Sequence, residues 1–280
     1  MIEGKICLIS GANSGIGRAT TKGLAEMNAR VVMLCRSKER GEKAQKEIVQ
    51  ETGNKNVDLI ICDLSSQESI RNFVTVFKSK YSTLDILINN AGVMLKRRTL
   101  SVDGFEMNFA IHALAPFLLT NLLLDIIKKS APSRIINVTS AAHKRAKIDF
   151  NDLQSEHKKY RLFTVYGTSK LAEMLFTYEL SRKLEGTGVT VNAVHPGLVN
   201  TNLGREQSKF SQWFARKFFK SPEEGAKTSI YLASSPEVEG VSGKYFANKE
   251  PQESSEESCN QENAKKLWNI YEELTGLNTY

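Results

Sequence analysis

A chain of 280 residues with 41% hydrophobic and 25% charged residues is long enough for one sizeable core, and its composition is neither disordered nor fibrous. The formal net charge of +7 comes from Lys and Arg scattered along the whole chain. Nucleic-acid binders carry a basic stripe interleaved with aromatics, so no nucleic-acid partner is expected here. Cys7, Cys35, Cys62 and Cys259 stand far apart without metal-ligand spacing, which argues against a metal centre and for reduced thiols in an intracellular, cytoplasmic protein.

From the N-terminus, Met1-Ile2-Glu3-Gly4 leads straight into an apolar run, so no leader is expected ahead of the fold. Short runs rich in β-branched residues follow at 6–10, 30–34, 57–62, 84–88, 134–138, 189–194 and 243–247. They read as strands. Amphipathic stretches at 17–27, 40–51, 66–80, 171–184 and 223–233 read as the helices between them. Near-continuous apolar strands alternating with helices predict an α/β, doubly wound, mainly parallel sheet of about seven strands, with helices on both faces. The longest apolar stretch, 113–127, is broken by Pro116, Thr120, Asn121 and Asp125 and reads as a buried helix rather than a membrane span. An acidic, Ser-rich loop over 250–262 and a C-terminal helix over 264–274 complete a single domain spanning 1–280.

The first strand ends in Ser10-Gly11-Ala12-Asn13-Ser14-Gly15-Ile16-Gly17 and a helix follows. Glycines at such a turn let the backbone approach a pyrophosphate, and the helix N-terminus presents free N–H groups to it. The spacing, Gly-x-x-x-Gly-x-Gly, differs from the common dinucleotide fingerprint. The second strand ends Leu34-Cys35-Arg36-Ser37 with no acid at its tip. An acid there would accept the ribose 2′-hydroxyl of NAD(H), whereas Arg36 offers a charged fork to a 2′-phosphate. NADP(H) is therefore the expected cofactor over NAD(H), with Arg18 as a second contributor.

Tyr166 and Lys170 open a long helix one turn apart on one face. A phenol titrates near 10 in water, and proton exchange at neutral pH takes about 4 kcal/mol of preference for the phenolate. One ammonium about 4 Å away supplies that at an effective dielectric of ~20. Tyr166 thus qualifies as a general acid/base.

With the glycine loop come Asp63-Leu64, Asn89-Asn90-Ala91-Gly92, Thr139-Ser140 and His195-Pro196-Gly197, each directly after a strand. Together these motifs resemble the short-chain dehydrogenase/reductase superfamily over nearly the whole chain. Gly104-Phe105-Glu106-Met107, Pro116-Phe117-Leu118-Leu119-Thr120, Ser169-Lys170-Leu171-Ala172 and Ser221-Pro222-Glu223-Glu224-Gly225-Ala226 look most like its retinol-dehydrogenase-type branch. The resemblance implies a Rossmann-type fold and interconversion of a carbonyl and an alcohol. It also implies that Ser140 bonds the substrate oxygen, Tyr166 exchanges the proton, and Lys170 holds the ribose. By the same resemblance, Gly11, Asn13, Ser14, Gly15, Ile16, Gly17, Arg36, Asp63, Leu64, Asn90, Ala91 and Gly92 line the cofactor, joined by Pro196, Gly197, Val199 and Thr201. His195 reads as a packed core histidine. His112 stands where the family usually has Asn; the resemblance implies that this position's main-chain carbonyl relays protons to Lys170 through water, and a carbonyl survives the substitution. Asn108, one turn earlier, is a partial substitute.

The segment Lys209–Lys220, with Phe210, Trp213, Phe214, Phe218 and Phe219 among cations, reads as a short core-closing helix or as part of a substrate lid over about 201–222. By the resemblance, the lid points to a lipophilic, retinoid-like or long-chain substrate and to peripheral membrane contact through 209–220. A homodimer through the helices near Phe105 and Tyr166 is a further expectation of the resemblance. Two alternatives use the same residues: a non-catalytic NADP(H)-binding regulatory protein on this scaffold, and a sugar-nucleotide epimerase, which would want a larger C-terminal domain.

Overall fold

Successive side chains of an apolar strand point to opposite faces, so a strand apolar throughout must be covered on both. The computed structural model describes residues 2–199 and 219–277. Its strands are β1 (Ile6–Ser10), β2 (Arg30–Cys35), β3 (Val57–Ile61), β4 (Ile86–Asn89), β5 (Ser133–Val138), β6 (Val189–His195), β7 (Tyr245–Ala247) and β8 (Glu250–Gln252). They form an 8-stranded sheet ordered β3-β2-β1-β4-β5-β6-β7-β8, parallel from β3 to β7 and antiparallel between β7 and β8.

Helices α1 (Gly15–Glu26), α2 (Lys38–Thr52) and α6 (Pro222–Ser234) cover one face, where Cys7, Ile9, Met33, Ile88, Ile136 and Val194 point. The opposite face takes Leu8, Val32, Leu87, Ile135 and Val191 under α3 (Gln67–Lys80), α4 (Met107–Lys129), α5 (Leu162–Lys183) and α7 (Gln261–Thr275). The α4 helix is long and apolar enough to cross a membrane by length and composition, but 83% of its apolar window is buried inside this fold. It is the core helix that the polar interruptions predict. Residues Ala110–Leu114 within it are π-helical. Pro116 has no N–H, so the α-helical donor to the His112 carbonyl is missing there.

Two expectations are corrected. The sheet has eight strands rather than about seven, because part of the acidic loop over 250–262 is β8. Asn248 and Lys249, with φ of 53° and 68°, make a two-residue turn of left-handed residues between β7 and β8. Turn geometry outweighs charge composition there. The helix that carries Tyr166 and Lys170 also begins at Leu162, a full turn before Tyr166. The thiols of Cys7, Cys35 and Cys62 are free and buried.

The α7 helix seals the core. Phe117 is fully buried, with ring centroids 5.0 Å from Trp268, 5.3 Å from Tyr271 and 5.9 Å from Phe176. Phe117→Ala should therefore cost about 3–5 kcal/mol, read as a lowered urea midpoint. A loss below about 1 kcal/mol would show that α7 docks independently of this cluster.

Candidate active site

In an open parallel sheet, ligands lie beyond the carboxyl ends of the strands where the strand order reverses. Here that point is between β1 and β4. The loops after these strands interlock: Ser10 Oγ accepts from the N–H groups of Asn90 and Ala91 at 2.9 Å, and Asn90 Nδ2 donates to Ser10 O at 2.8 Å. Asn90 is thus a staple beneath the glycine loop rather than a simple turn residue. A Cβ on Gly17 would come 2.3 Å from Gly11 O and 2.5 Å from Asn90 Nδ2, so only glycine fits. Gly11 and Gly15 hold φ of 67° and 53°, which glycine adopts without strain.

The start of α1 is open to an anion. Helices α2, α3, α6 and α7 are capped by Ser37, Ser66, Ser221 and Asn260 and carry an acid in the first turn. Ser14, at the α1 N-cap, makes no side-chain cap bond, and no acid stands in that first turn. The N–H groups and positive dipole end remain for a ligand. This Cβ-excluding cradle fits the pyrophosphate of a dinucleotide. Gly225, in the Ser221–Ala226 motif, lets α6 lie against Val199 and Ile16: a Cβ there would meet Val199 Cγ2 at 2.6 Å and Ile16 Cγ1 at 3.2 Å.

Arg36 is exposed at the tip of β2. Arg18 is not free to help: its guanidinium bonds Glu51 at 2.7 Å and Glu47 at 3.2 Å on α2. Asp63 Oδ1 accepts from the N–H and hydroxyl of Ser65 at 3.0 and 2.8 Å, shaping the turn after β3, and Leu64 packs on the core. Pro196, Gly197 and Val199 follow β6, with Val199 bridged to Lys220. Thr201 and most of the expected lid lie outside the described residues.

Ser140 follows β5 and caps the turn Ala141–Arg145, its Oγ accepting from Ala142 N at 3.2 Å. The first part of α5 packs directly on this turn: a Cβ on Gly167 would meet Ala142 O at 3.0 Å. Gly167 thereby lets the start of α5, which carries Tyr166, lie against the turn that follows Ser140. Lys170, 3% exposed, donates from Nζ to Val138 O and to Glu173 Oε2, each at 2.9 Å.

Two histidines organise this region. His112 Nε2 accepts from Val93 N at 3.0 Å, so Nδ1 carries the hydrogen and donates to Ser169 Oγ at 2.8 Å; Ser169 in turn donates to Tyr166 O at 2.8 Å. The His112 ring stands edge-on to Tyr166, 5.5 Å between centroids. Burial, with Lys170 nearby, holds His112 well below the usual imidazole range. Its side chain is a neutral strut from the β4 loop to the main chain of Tyr166. His143, unnoticed in the sequence, donates from Nδ1 to Ser140 O at 2.7 Å. His195 accepts weakly from Ala141 N at 3.3 Å, and burial lowers it to about 4.

His112 makes stability depend on pH. Its folded-state affinity for protons is depressed, so below about 6.5 the unfolded chain binds a proton that the folded chain does not. Stability falls as pH drops. His112 alone should account for up to about 2 kcal/mol between pH 6.5 and 5. Urea unfolding at both pH values should show a shallower slope in His112→Asn; an identical slope would mean that His112 is protonated in the folded protein.

With the geometry in place, relatives give the chain its family. The model of the short chain dehydrogenase family matches residues 5–212. Mouse retinol dehydrogenase 14 (Mus musculus) is 46% identical over 293 residues, covering 99% of this chain and 87% of that protein. Mouse retinol dehydrogenase 13 is 46% identical over 284 residues, covering 99% and 85%. Among solved structures, an uncharacterized protein from Mycobacterium Paratuberculosis superposes with a TM-score of 0.81 at 29% identity, covering 100% of this chain and 96% of that one. The RhlG/NADP active-site complex from Pseudomonas aeruginosa gives 0.72 at 25% identity, covering 88% and 95%. The chain belongs to the short-chain dehydrogenase family, in its retinol-dehydrogenase-like branch, and is an oxidoreductase of that family.

Proposed function

We propose that this protein interconverts an aldehyde or ketone and the corresponding alcohol, using NADP(H), on a lipophilic substrate of the retinoid or long-chain type. One observation carries the reading: the Lys170 ammonium, one helical turn from Tyr166 on α5, is buried and fixed on Val138 O at the end of β5, which Ser140 follows, and the glycine cradle at the start of α1 is open. The cofactor supplies or accepts the hydride when bound. Gly11 to Gly17 would hold its pyrophosphate and Arg36 a 2′-phosphate, with Asp63, Leu64, Asn90 to Gly92 and Pro196 to Val199 around it.

The chain's own residues supply the rest. Ser140 Oγ is already an acceptor from Ala142 N, which leaves its hydrogen to donate to a substrate oxygen. Tyr166 gives its proton to that oxygen in reduction and takes it back in oxidation. The His112 carbonyl, without an α-helical donor because of Pro116, would accept from a water in a relay to Lys170. The substrate class has support in the retinol dehydrogenase relatives. It also has support in Phe163, Leu198 and Phe219, which are 75%, 68% and 40% exposed at the start of α5, after β6 and before α6. Apolar side chains left in water suit an apolar ligand.

Following NADPH and NADH absorbance with retinaldehyde and a series of aliphatic aldehydes tests this. Tyr166→Phe should lower turnover by about 100-fold or more with NADPH affinity nearly unchanged; equal turnover would remove Tyr166 from the chemistry. Arg36→Ala should weaken NADPH binding by about tenfold and leave NADH binding alone. An equal effect on both coenzymes would assign the 2′-phosphate to another residue.

A further inference from the structure

The acid/base reading leaves the buried carboxylate beside Lys170 unused. Lys170 Nζ and Glu173 Oε2 lie 2.9 Å apart, with side chains 4% and 1% exposed. Among the described residues, Glu173 is the ion-pair partner of Lys170. An ammonium has three N–H groups. Two are taken by Val138 O and Glu173, and the third remains for the cofactor side.

The groups facing Glu173 are few. On α5 it meets Lys170, and just after β5 Thr139 lies near its carboxylate, with the hydroxyl donating to Lys170 O at 3.4 Å. From α7, Tyr271 stands against it, and burial with the Glu173 charge holds that phenol well above its usual range, so it stays protonated. From α4, neutral His112 faces Lys170. No second cation shares the carboxylate among these neighbours.

Such a pair presents two different fields to Tyr166, one turn away. With Glu173 protonated, Lys170 acts as a full positive charge and favours the phenolate. With Glu173 ionised, the pair is close to neutral and that help is largely cancelled. We infer that Glu173 is a positioning residue of the reaction: it holds the Lys170 ammonium against Val138 O and sets how much of its charge reaches Tyr166. This rests on the acid/base roles proposed above for Tyr166 and Lys170. Burial raises the Glu173 carboxyl to about 7, so both charge states are populated in the neutral range.

The sign of the effect follows. As pH rises through neutrality Glu173 ionises, and the drive toward the Tyr166 phenolate weakens where alcohol oxidation needs it. In Glu173→Gln the amide oxygen still accepts from Lys170, but the counter-charge is gone at every pH. The rise of alcohol oxidation with pH, and the fall of carbonyl reduction, should both move to lower pH by on the order of one unit. The KM for NADPH should stay within about twofold, since the ammonium keeps its place. Glu173→Asp should return the profile toward the wild type. Thr139→Val, which removes a hydroxyl near the carboxylate that favours its ionised form, should shift the profile the same way by less, and it carries the test if Glu173→Gln does not fold.

Tyr166→Phe, run alongside, separates the two readings. If Tyr166→Phe is inactive while the Glu173→Gln and Thr139→Val profiles coincide with the wild type, Glu173 is structural only and this inference fails alone. If Tyr166→Phe keeps wild-type turnover, both fall.

Discussion

A charged ammonium that is 3% exposed has to be matched inside the protein, because leaving it unpaired there costs several kcal/mol. Lys170 finds its acceptors in the last carbonyl of β5, at Val138, and in Glu173 on its own helix. That requirement fixes α5 against the sheet edge-on to β5. A row of buried amides and hydroxyls continues the attachment. Asn137 Nδ2 donates to Thr177 Oγ1 at 2.8 Å, Asn89 Nδ2 donates to Asn137 Oδ1 at 2.8 Å, and Asn89 also reaches Thr120 on α4 at 3.2 Å. Helices α4 and α5 are thus hydrogen-bonded through the sheet interior, where a partly satisfied network would be costly. Tyr166 and Ser140 inherit their places from this scaffold, with Gly167 letting α5 lie against the turn after Ser140.

The glycine-loop half is joined to the Tyr166 half by neutral side-chain hydrogen bonds rather than by charge. Ser10 closes β1 onto the loop after β4, and Asn90 fills the space that any Cβ on Gly17 would need. Through Val93 the same loop reaches His112, and through Ser169 the main chain of Tyr166. A disturbance of the glycine cradle therefore has a short bonded route to Tyr166. The histidine that stands in place of the family's usual Asn lies on that route.

How much of this was legible in sequence depends on the range of the interaction. Strands and helices showed themselves through periodicity, because burial on two faces or one leaves a regular pattern. The glycine loop and the Tyr166–Lys170 spacing were legible because backbone geometry and one helical turn dictate residue type locally. Contacts between distant segments were not. Arg18 looked free until α2 folded Glu47 and Glu51 onto it. Asn90 gave no sign of bonding a residue 80 positions earlier. Glu173 stood at a readable i, i+3 distance from Lys170, yet an acid on a helix ordinarily faces water, and only the docking of α7 buries it. The hairpin at Asn248-Lys249 escaped notice because its left-handed residues lack the glycine that usually marks such turns.

That hairpin also decides how the sheet ends. In a two-residue hairpin the residues flanking the turn, Ala247 and Glu250, bond to each other, and the groups of the next residue point away from the partner strand. The next residue is Pro251, paired opposite Phe246. The outward side of β8 therefore lacks the donor at its centre. A second sheet arriving at this side would find a strand of three residues with no amide hydrogen at its middle position. The sheet terminates itself there, and continuation strand-to-strand into a neighbouring molecule is blocked by one imino acid.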